Sequence, residues 1–177
     1  MSADPPPDKI EYTRLDRDLV EKAMHVLALC KDRGLHVVTA ESCTGGLLAG
    51  VLTEAPGASD VVDGGFVTYS NTAKEACLGV PETLLKIHGA VSEAVARAMA
   101  EGALKRSPAE LAVSITGIAG PGGATEGKPV GLVHFGAARR DGPRLHRECR
   151  FGDIGRGAIR RASIVVALEM LAELASS

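Results

Sequence analysis

Apolar and polar positions follow two periods along the chain, and the switches between them outline the elements. From Asp16 to Arg33, the apolar positions Leu19, Val20, Ala23, Met24, Leu27 and Cys30 recur at helical spacing, with Gly34 behind them as a C-terminal cap. The β-branched run Leu35 to Ala40 then predicts a short strand, ending at Glu41-Ser42-Cys43-Thr44-Gly45-Gly46 before a helical pattern resumes over Leu47 to Thr53. Gly64 to Tyr69 reads as a second strand, Ser70 or Asn71 caps a helix through Cys77, and Pro81 to Ile87 is a further short helical piece. Ser92 caps a helix to about Lys105 with Val95, Met99 and Leu104 inward, and Leu111 to Ile115 is a buried strand.

The run Thr116 to Pro129 holds five glycines and two prolines in fourteen residues, which reads as a long loop. Val130 to Ala138 and Arg144 to Phe151 alternate as strands, and Asp141-Gly142 between them is a hairpin signal. A last helix covers about Arg156 to Leu174, carrying Ile159, Ser163, Val166, Leu168, Met170 and Leu171. Helices alternating with strands before a late hairpin predict one three-layer α/β/α domain over 16–177, with a mixed, mostly parallel sheet and an antiparallel hairpin at its end. Residues 1–15, with Pro5 to Pro7 in a row, read as a disordered or loosely docked arm.

Composition narrows the function. Hydrophobic residues make up 45% and aromatics only 3%, so the core must be aliphatic. A formal net charge of -2 gives no global attraction to nucleic acid or anionic membrane, so an anionic ligand needs a local site. Cys30, Cys43, Cys77 and Cys149 lack metal-ligand spacing and read as reduced. The N-terminus does not read as a secretory signal, and no apolar run approaches the ~20 residues of a membrane span, so a soluble, cytoplasmic protein is expected.

Ligands of open α/β sheets gather beyond the carboxyl ends of strands, where three unusual segments fall. Ser42 sits on a strand-to-helix turn followed by Gly45-Gly46, where backbone N–H groups could bind phosphate or an oxyanion; equally, Ser42 or Thr44 could simply cap the helix. Cys43 is a rival nucleophile, though a lone Cys beside glycines is more often a small packing residue. Tyr69 and Lys74, five residues apart, could reach one pocket, and a desolvated Lys74 could serve Ser42 as base; the alternative is a solvated helix lysine and a half-buried strand tyrosine. The glycine-rich run matches neither a Walker motif nor GxGxxG, yet so long a loop is more often functional than idle. Among Arg147, Arg150, Arg156, Arg160 and Arg161, one could clamp a phosphate. His36, His88, His134 and His146 have no companion carboxylates at ligand spacing, His25 sits on the first helix, and none is taken as catalytic.

Four motifs occur together and in order: Thr39 to Gly46, Gly65 to Asn71 with Lys74, His88 to Ser92, and Ser114 to Gly123. From about residue 18 to 174 the chain resembles the CinA C-terminal domain family, in its stand-alone form. The resemblance implies a nicotinamide-nucleotide amidase that converts nicotinamide mononucleotide and water to nicotinate mononucleotide and ammonia, without metal or cofactor. It implies Ser42 as nucleophile, Lys74 as base and Tyr69 as helper of proton transfer to the departing ammonia. Thr44, Gly45, Gly46, Asn71, Thr116, Gly117 and Gly120 would then line the substrate. The family's Gly-Asp-Arg arginine corresponds to Arg156, although Ile154 and Gly155 are interposed here and Arg160 or Arg161 could substitute. A small-molecule nucleotide is the implied partner, with no nucleic acid or membrane, and a homo-oligomer, a dimer, is expected. A non-catalytic nucleotide-binding or regulatory module is the competing reading.

Overall fold

The computed structural model describes residues 16–177, so the expected N-terminal arm lies outside the described residues. Asp16 accepts from Asp18 N and opens α1 (Arg17–Lys31), which leads into β1 (Val37–Glu41) and α2 (Leu47–Glu54). A 3-10 turn (Ala58–Asp60) precedes β2 (Val62–Val67), followed by α3 (Asn71–Leu78) and α4 (Glu82–His88). The chain continues through α5 (Glu93–Lys105), β3 (Leu111–Gly117), β4 (Leu132–Arg139), β5 (Arg144–Arg150) and α6 (Arg156–Ser176). Ser70 caps α3 and Ser92 caps α5, each through its side-chain oxygen, as the helix-start signals require.

The sheet runs β2-β1-β3-β4-β5. β1 pairs in parallel with both β2 and β3, whereas β4 is antiparallel to β3 and to β5. Only β4 is therefore reversed, which makes the sheet mixed and mostly parallel in direction. Asp141 takes a positive φ of 55° at the tip of the β4–β5 hairpin, the conformation that tight hairpins need. Helices α1, α2 and α6 cover one face through a core that includes Leu48, Val113, Ile115, Phe135 and Leu168. Helices α3, α4 and α5 cover the other, packing Leu78, Val95 and Met99 on Val38, Ala40 and Ala112. Burying each large aliphatic side chain stabilises the domain by about 1.5–3 kcal/mol, enough for an almost aromatic-free core to hold.

β1 runs Val37–Glu41 rather than from Leu35, β4 starts at Leu132 rather than Val130, and two further differences bear on the site. β2 begins and ends two residues earlier, which leaves Thr68 and Tyr69 beyond the strand. Thr116 and Gly117, expected in the glycine-rich loop, finish β3, because the ladder to β4 continues through Thr116↔His134 and Gly117↔Val133. Among the described residues, no helix is long and apolar enough to cross a membrane.

Candidate active site

The parallel strands β2, β1 and β3 all deliver their carboxyl ends to one edge of the sheet, and the candidate site lies there. Ser42 follows β1 directly, and its N–H donates to Ile115 O (2.9 Å), so the first loop residue is still moored to β3. Thr68 N donates to Glu41 O (2.8 Å), which extends β2 pairing by one residue and turns the Thr68 carbonyl inward. Lys74 shares the inner face of α3 with Leu78, both buried. Its Nζ donates to Thr68 O (2.8 Å) and to Ser42 Oγ (3.0 Å).

Lys74 is 1% exposed, so the solvated-lysine alternative fails. Burial pushes its ammonium down from 10.5 to about 8, the nearby Cys43 opposing the shift. An amine with that value is neutral in roughly a quarter of molecules at pH 7.5. Cys43 is buried beside it, and desolvation raises its thiol to about 11, so it packs in the core and carries almost no thiolate at neutral pH. The capping alternative for Ser42 and Thr44 also fails. Ser42 Oγ faces Lys74, the buried Thr44 hydroxyl has no partner among the described residues, and the first turn of α2 is capped by the Glu41 carboxylate instead.

A cavity of about 290 Å³ opens over this pair. Ser42, Tyr69, Lys74, Thr116, Gly117, Gly120 and Arg156 line it, joined by Ala90 and Val91, whose place at the site the residue pattern did not signal. Thr116 Oγ1 donates to Ala90 O (2.8 Å) and so pins that segment to β3. Asn71, exposed at the start of α3, does not line the cavity, and neither do Thr44, Gly45 and Gly46, which form the turn behind Ser42. Tyr69, 62% exposed rather than half-buried, stands at the mouth with its hydroxyl 3.4 Å from Arg156 Nη2.

Arg156 Nη1 donates to Gly120 O (3.1 Å), which ties the first turn of α6 to the glycine-rich loop. Of the other candidate arginines, Arg160 donates to Thr44 O (2.8 Å), Arg161 pairs with Asp16, Arg147 with Glu169 and Glu173, and Arg150 with Glu148. Arg156 is thus the arginine that faces the cavity, whose lining includes two cationic side chains and no carboxylate. A larger cavity of about 480 Å³ between α1 and α6 is lined by Asp18, Glu21 and Glu169 and offers no comparable nucleophile–base pair.

Three of the histidines, His36, His134 and His146, do have carboxylate companions in space, which their sequence spacing hid. His36 Nδ1 lies 3.2 Å from Glu110, while His134 and His146 meet through Nδ1 and Nε2 at 3.1 Å with Glu148 and Glu93 beyond them. Burial lowers both imidazoles of the pair from their usual value. Among the described residues, no group of three or more His, Cys, Asp or Glu is placed to hold a metal ion.

Fold and site together define an α/β domain that buries a serine–lysine pair under a cationic pocket at its parallel strand ends. The chain belongs to the CinA C-terminal domain family, whose model matches residues 20–175. It is 50% identical to the nicotinamide-nucleotide amidohydrolase PncC of Escherichia coli K12 over 157 residues, 88% of this chain and 94% of that one. It is 53% identical over 146 residues to a CinA-like protein of Mycobacterium marinum, 82% of this chain but 34% of that protein. The chain spans about a third of the length of such longer relatives. The crystal structure of the competence/damage inducible protein CihA from Agrobacterium tumefaciens superposes with a TM-score of 0.87 at 52% identity, covering 98% of this chain and 99% of that one.

Proposed function

We propose that this chain hydrolyses the carboxamide of nicotinamide mononucleotide, releasing ammonia and nicotinate mononucleotide, with Ser42 as nucleophile and Lys74 as general base. The observation that carries the reading is the buried contact of 3.0 Å between Ser42 Oγ and a lysine whose ammonium is pushed down to about 8. A neutral Lys74 keeps its donation to Thr68 O and turns its lone pair to the Ser42 hydroxyl. Ser42 Oγ attacks the amide carbon as its proton passes to Nζ.

The oxyanion that forms needs donors aimed at it, each worth ~100-fold or more in other hydrolases. Gly45 N is taken by Ser42 O, and Gly46 N, Leu48 N and Ala49 N by Glu41. The N–H of Cys43, which lines the cavity and has no acceptor among the described residues, is the donor this turn leaves for the oxyanion. Lys74, helped by Tyr69, returns the proton to the leaving nitrogen, ammonia departs, and a water activated by the regenerated amine cleaves the acyl-Ser42 ester. The cation-lined pocket suits a phosphorylated substrate, with Arg156 and the uncapped start of α6 on its phosphate. The activity of the E. coli amidohydrolase, which this chain matches over nearly all of that protein, supports the substrate assignment.

The test is ammonia release from nicotinamide mononucleotide by purified protein and by its Ser42→Ala variant. Stoichiometric ammonia and nicotinate mononucleotide from the parent, with a loss of at least ~1,000-fold in the variant, is the expected result. A folded parent that binds the nucleotide without releasing ammonia gives first place to the binding-module reading.

A further inference from the structure

We propose that Glu41 is a positioning residue for Ser42: its carboxylate ties the end of β1 to the start of α2 and so fixes the loop that presents the nucleophile. The inference rests on the serine-hydrolase reading of the site. Glu41 is fully buried, and an unpaired carboxylate there would cost several kcal/mol. Among the described residues it has no cationic partner, and hydrogen bonds at the start of α2 compensate it. Oε2 accepts from Gly46 N (3.0 Å) and Leu48 N (3.1 Å), while Oε1 accepts from Ala49 N (2.9 Å) and from Thr39 Oγ1 (3.4 Å).

An ordinary helix cap is the residue adjoining the first turn and constrains little beyond it. In this chain the adjoining residue is Gly46, which has no side chain to cap with, and the cap reaches in from five residues upstream. The four residues between, Ser42 to Gly45, therefore close a short ring whose two ends are a central strand and a helix. Ser42 N–H bonded to Ile115 O and Gly45 N–H bonded to Ser42 O leave that ring little freedom. Glu41 does not line the cavity and so does not touch substrate. Its effect passes through loop geometry, which sets the direction of Ser42 Oγ and, among the described residues, leaves the N–H of Cys43 unclaimed at the cavity.

The experiment compares the parent with Glu41→Gln and Glu41→Asp in the full chain, assayed well below each thermal midpoint. The measurements are kcat, KM and pH profile on nicotinamide mononucleotide, with the rate of Ser42 modification by a fluorophosphonate alongside. Gln must turn an amide NH2 toward one of the N–H donors, and Asp withdraws the carboxylate by one methylene. A displacement of ~1 Å at a nucleophile costs up to ~100-fold, so both variants are expected to lose about 10- to 100-fold in kcat. KM stays within about twofold, the rise of kcat near pH 8 does not move, and fluorophosphonate labelling slows by a similar factor.

Parent-like kcat in both variants overturns the proposal, as does a loss confined to KM. A shift of the pH profile by about one unit, or full activity in Asp alone, assigns the effect to Glu41's charge and overturns positioning. Should Glu41→Gln fail to fold, Glu41→Asp carries the same comparison with the charge retained. A parent that is labelled but turns over no nucleotide defeats the substrate assignment only, and the labelling ratio still decides the role of Glu41. A folded parent that neither turns over nor labels overturns both.

Discussion

The loops that leave β1 and β3 stand side by side at one end of the sheet, and both are glycine-rich, yet they are built in opposite ways. Residues 41–44 are all buried, and every turn of that segment is bonded to β3, to α2 or to itself. Residues 121–127 are all exposed, and the Thr125–Lys128 pair is the main backbone tie across them. The first loop uses glycine for positive φ, 61° at Gly45 and 92° at Gly46, to make a turn too tight for other residues. The second also takes positive φ, at Gly120, Gly123 and Gly127, but its course over 121–127 is exposed, and at Gly122 it leaves open space over the cavity. Chemistry that depends on tenths of an ångström belongs on the tied loop, and a surface that must accept a ligand belongs on the open one.

The largest effect is expected where the tied loop meets its base. Lys74→Met should lower kcat about 1,000-fold or more, the scale of a lost general base, measured by ammonia release. The same change should stabilise the protein. The folded chain releases the Lys74 proton near 8 and the unfolded chain near 10.5, so between those values the unfolded chain binds more protons and stability rises with pH. Below pH 8 the full cost of burying the ammonium is present, about 3 kcal/mol, against about 1 kcal/mol for the partner Thr68 O loses. A net gain of about 2 kcal/mol in denaturant unfolding at pH 7, fading as pH rises from 8 to 10.5, is the expected signature. A destabilised variant at pH 7 would mean that the fold holds the Lys74 ammonium at little cost, with a folded value close to that of the unfolded chain.

A smaller effect tests the turn itself. Gly46→Ala places a Cβ 3.2 Å from Val67 Cγ2, a contact that exposed Val67 can relieve, so the cost is backbone strain of about 1–3 kcal/mol. Because that strain is relieved by moving the Glu41-bound turn, kcat should fall roughly 100-fold while KM holds. Loss of stability with parent kcat would show that the turn and the nucleophile are independent.

Much of this arrangement was legible in the residue pattern. The aliphatic runs of β1, β3 and β4 and the caps Ser70 and Ser92 came through because burial on both faces and capping chemistry leave a local trace. The end of β2 was misplaced because Thr68 and Tyr69 are strand formers, and β3 was cut short because its last two residues look like loop until β4 pairs with them. Lys74 was raised as a base by its place five residues after Tyr69, but an eight-residue helix with so few apolar positions could not decide between a buried and a solvated lysine. Glu41 left no trace as a cap, since its partners five to eight residues on are backbone N–H groups common to every sequence.

On the open loop the effects should be those of binding. Arg156→Ala removes an exposed charge-assisted contact at the lower end of the usual range, about 1.5–2 kcal/mol, so kcat/KM for nicotinamide mononucleotide should drop about 10- to 30-fold. The riboside, which lacks the phosphate, separates two roles for this side chain. A drop confined to the mononucleotide places Arg156 on phosphate, whereas an equal drop for both substrates makes its bond to Gly120 O, and hence loop shape, the larger contribution.

The smallest effect sharpens the contrast most. Gly122 lines the cavity, its φ is not in the left-handed region, and a Cβ there meets nothing within 4 Å. Gly122→Ala therefore carries neither the strain nor the collision of Gly46→Ala, and it slightly reduces the freedom of the unfolded chain. Thermal midpoint and kcat should stay at the parent's values, with kcat within about twofold, since the Ser42–Lys74 pair is anchored elsewhere. KM is the sensitive readout: a methyl group tolerated by the empty loop but not by bound substrate raises KM alone. That outcome would place the ligand against Gly122, and a fall in kcat instead would mean that the open loop also shapes the reacting centre.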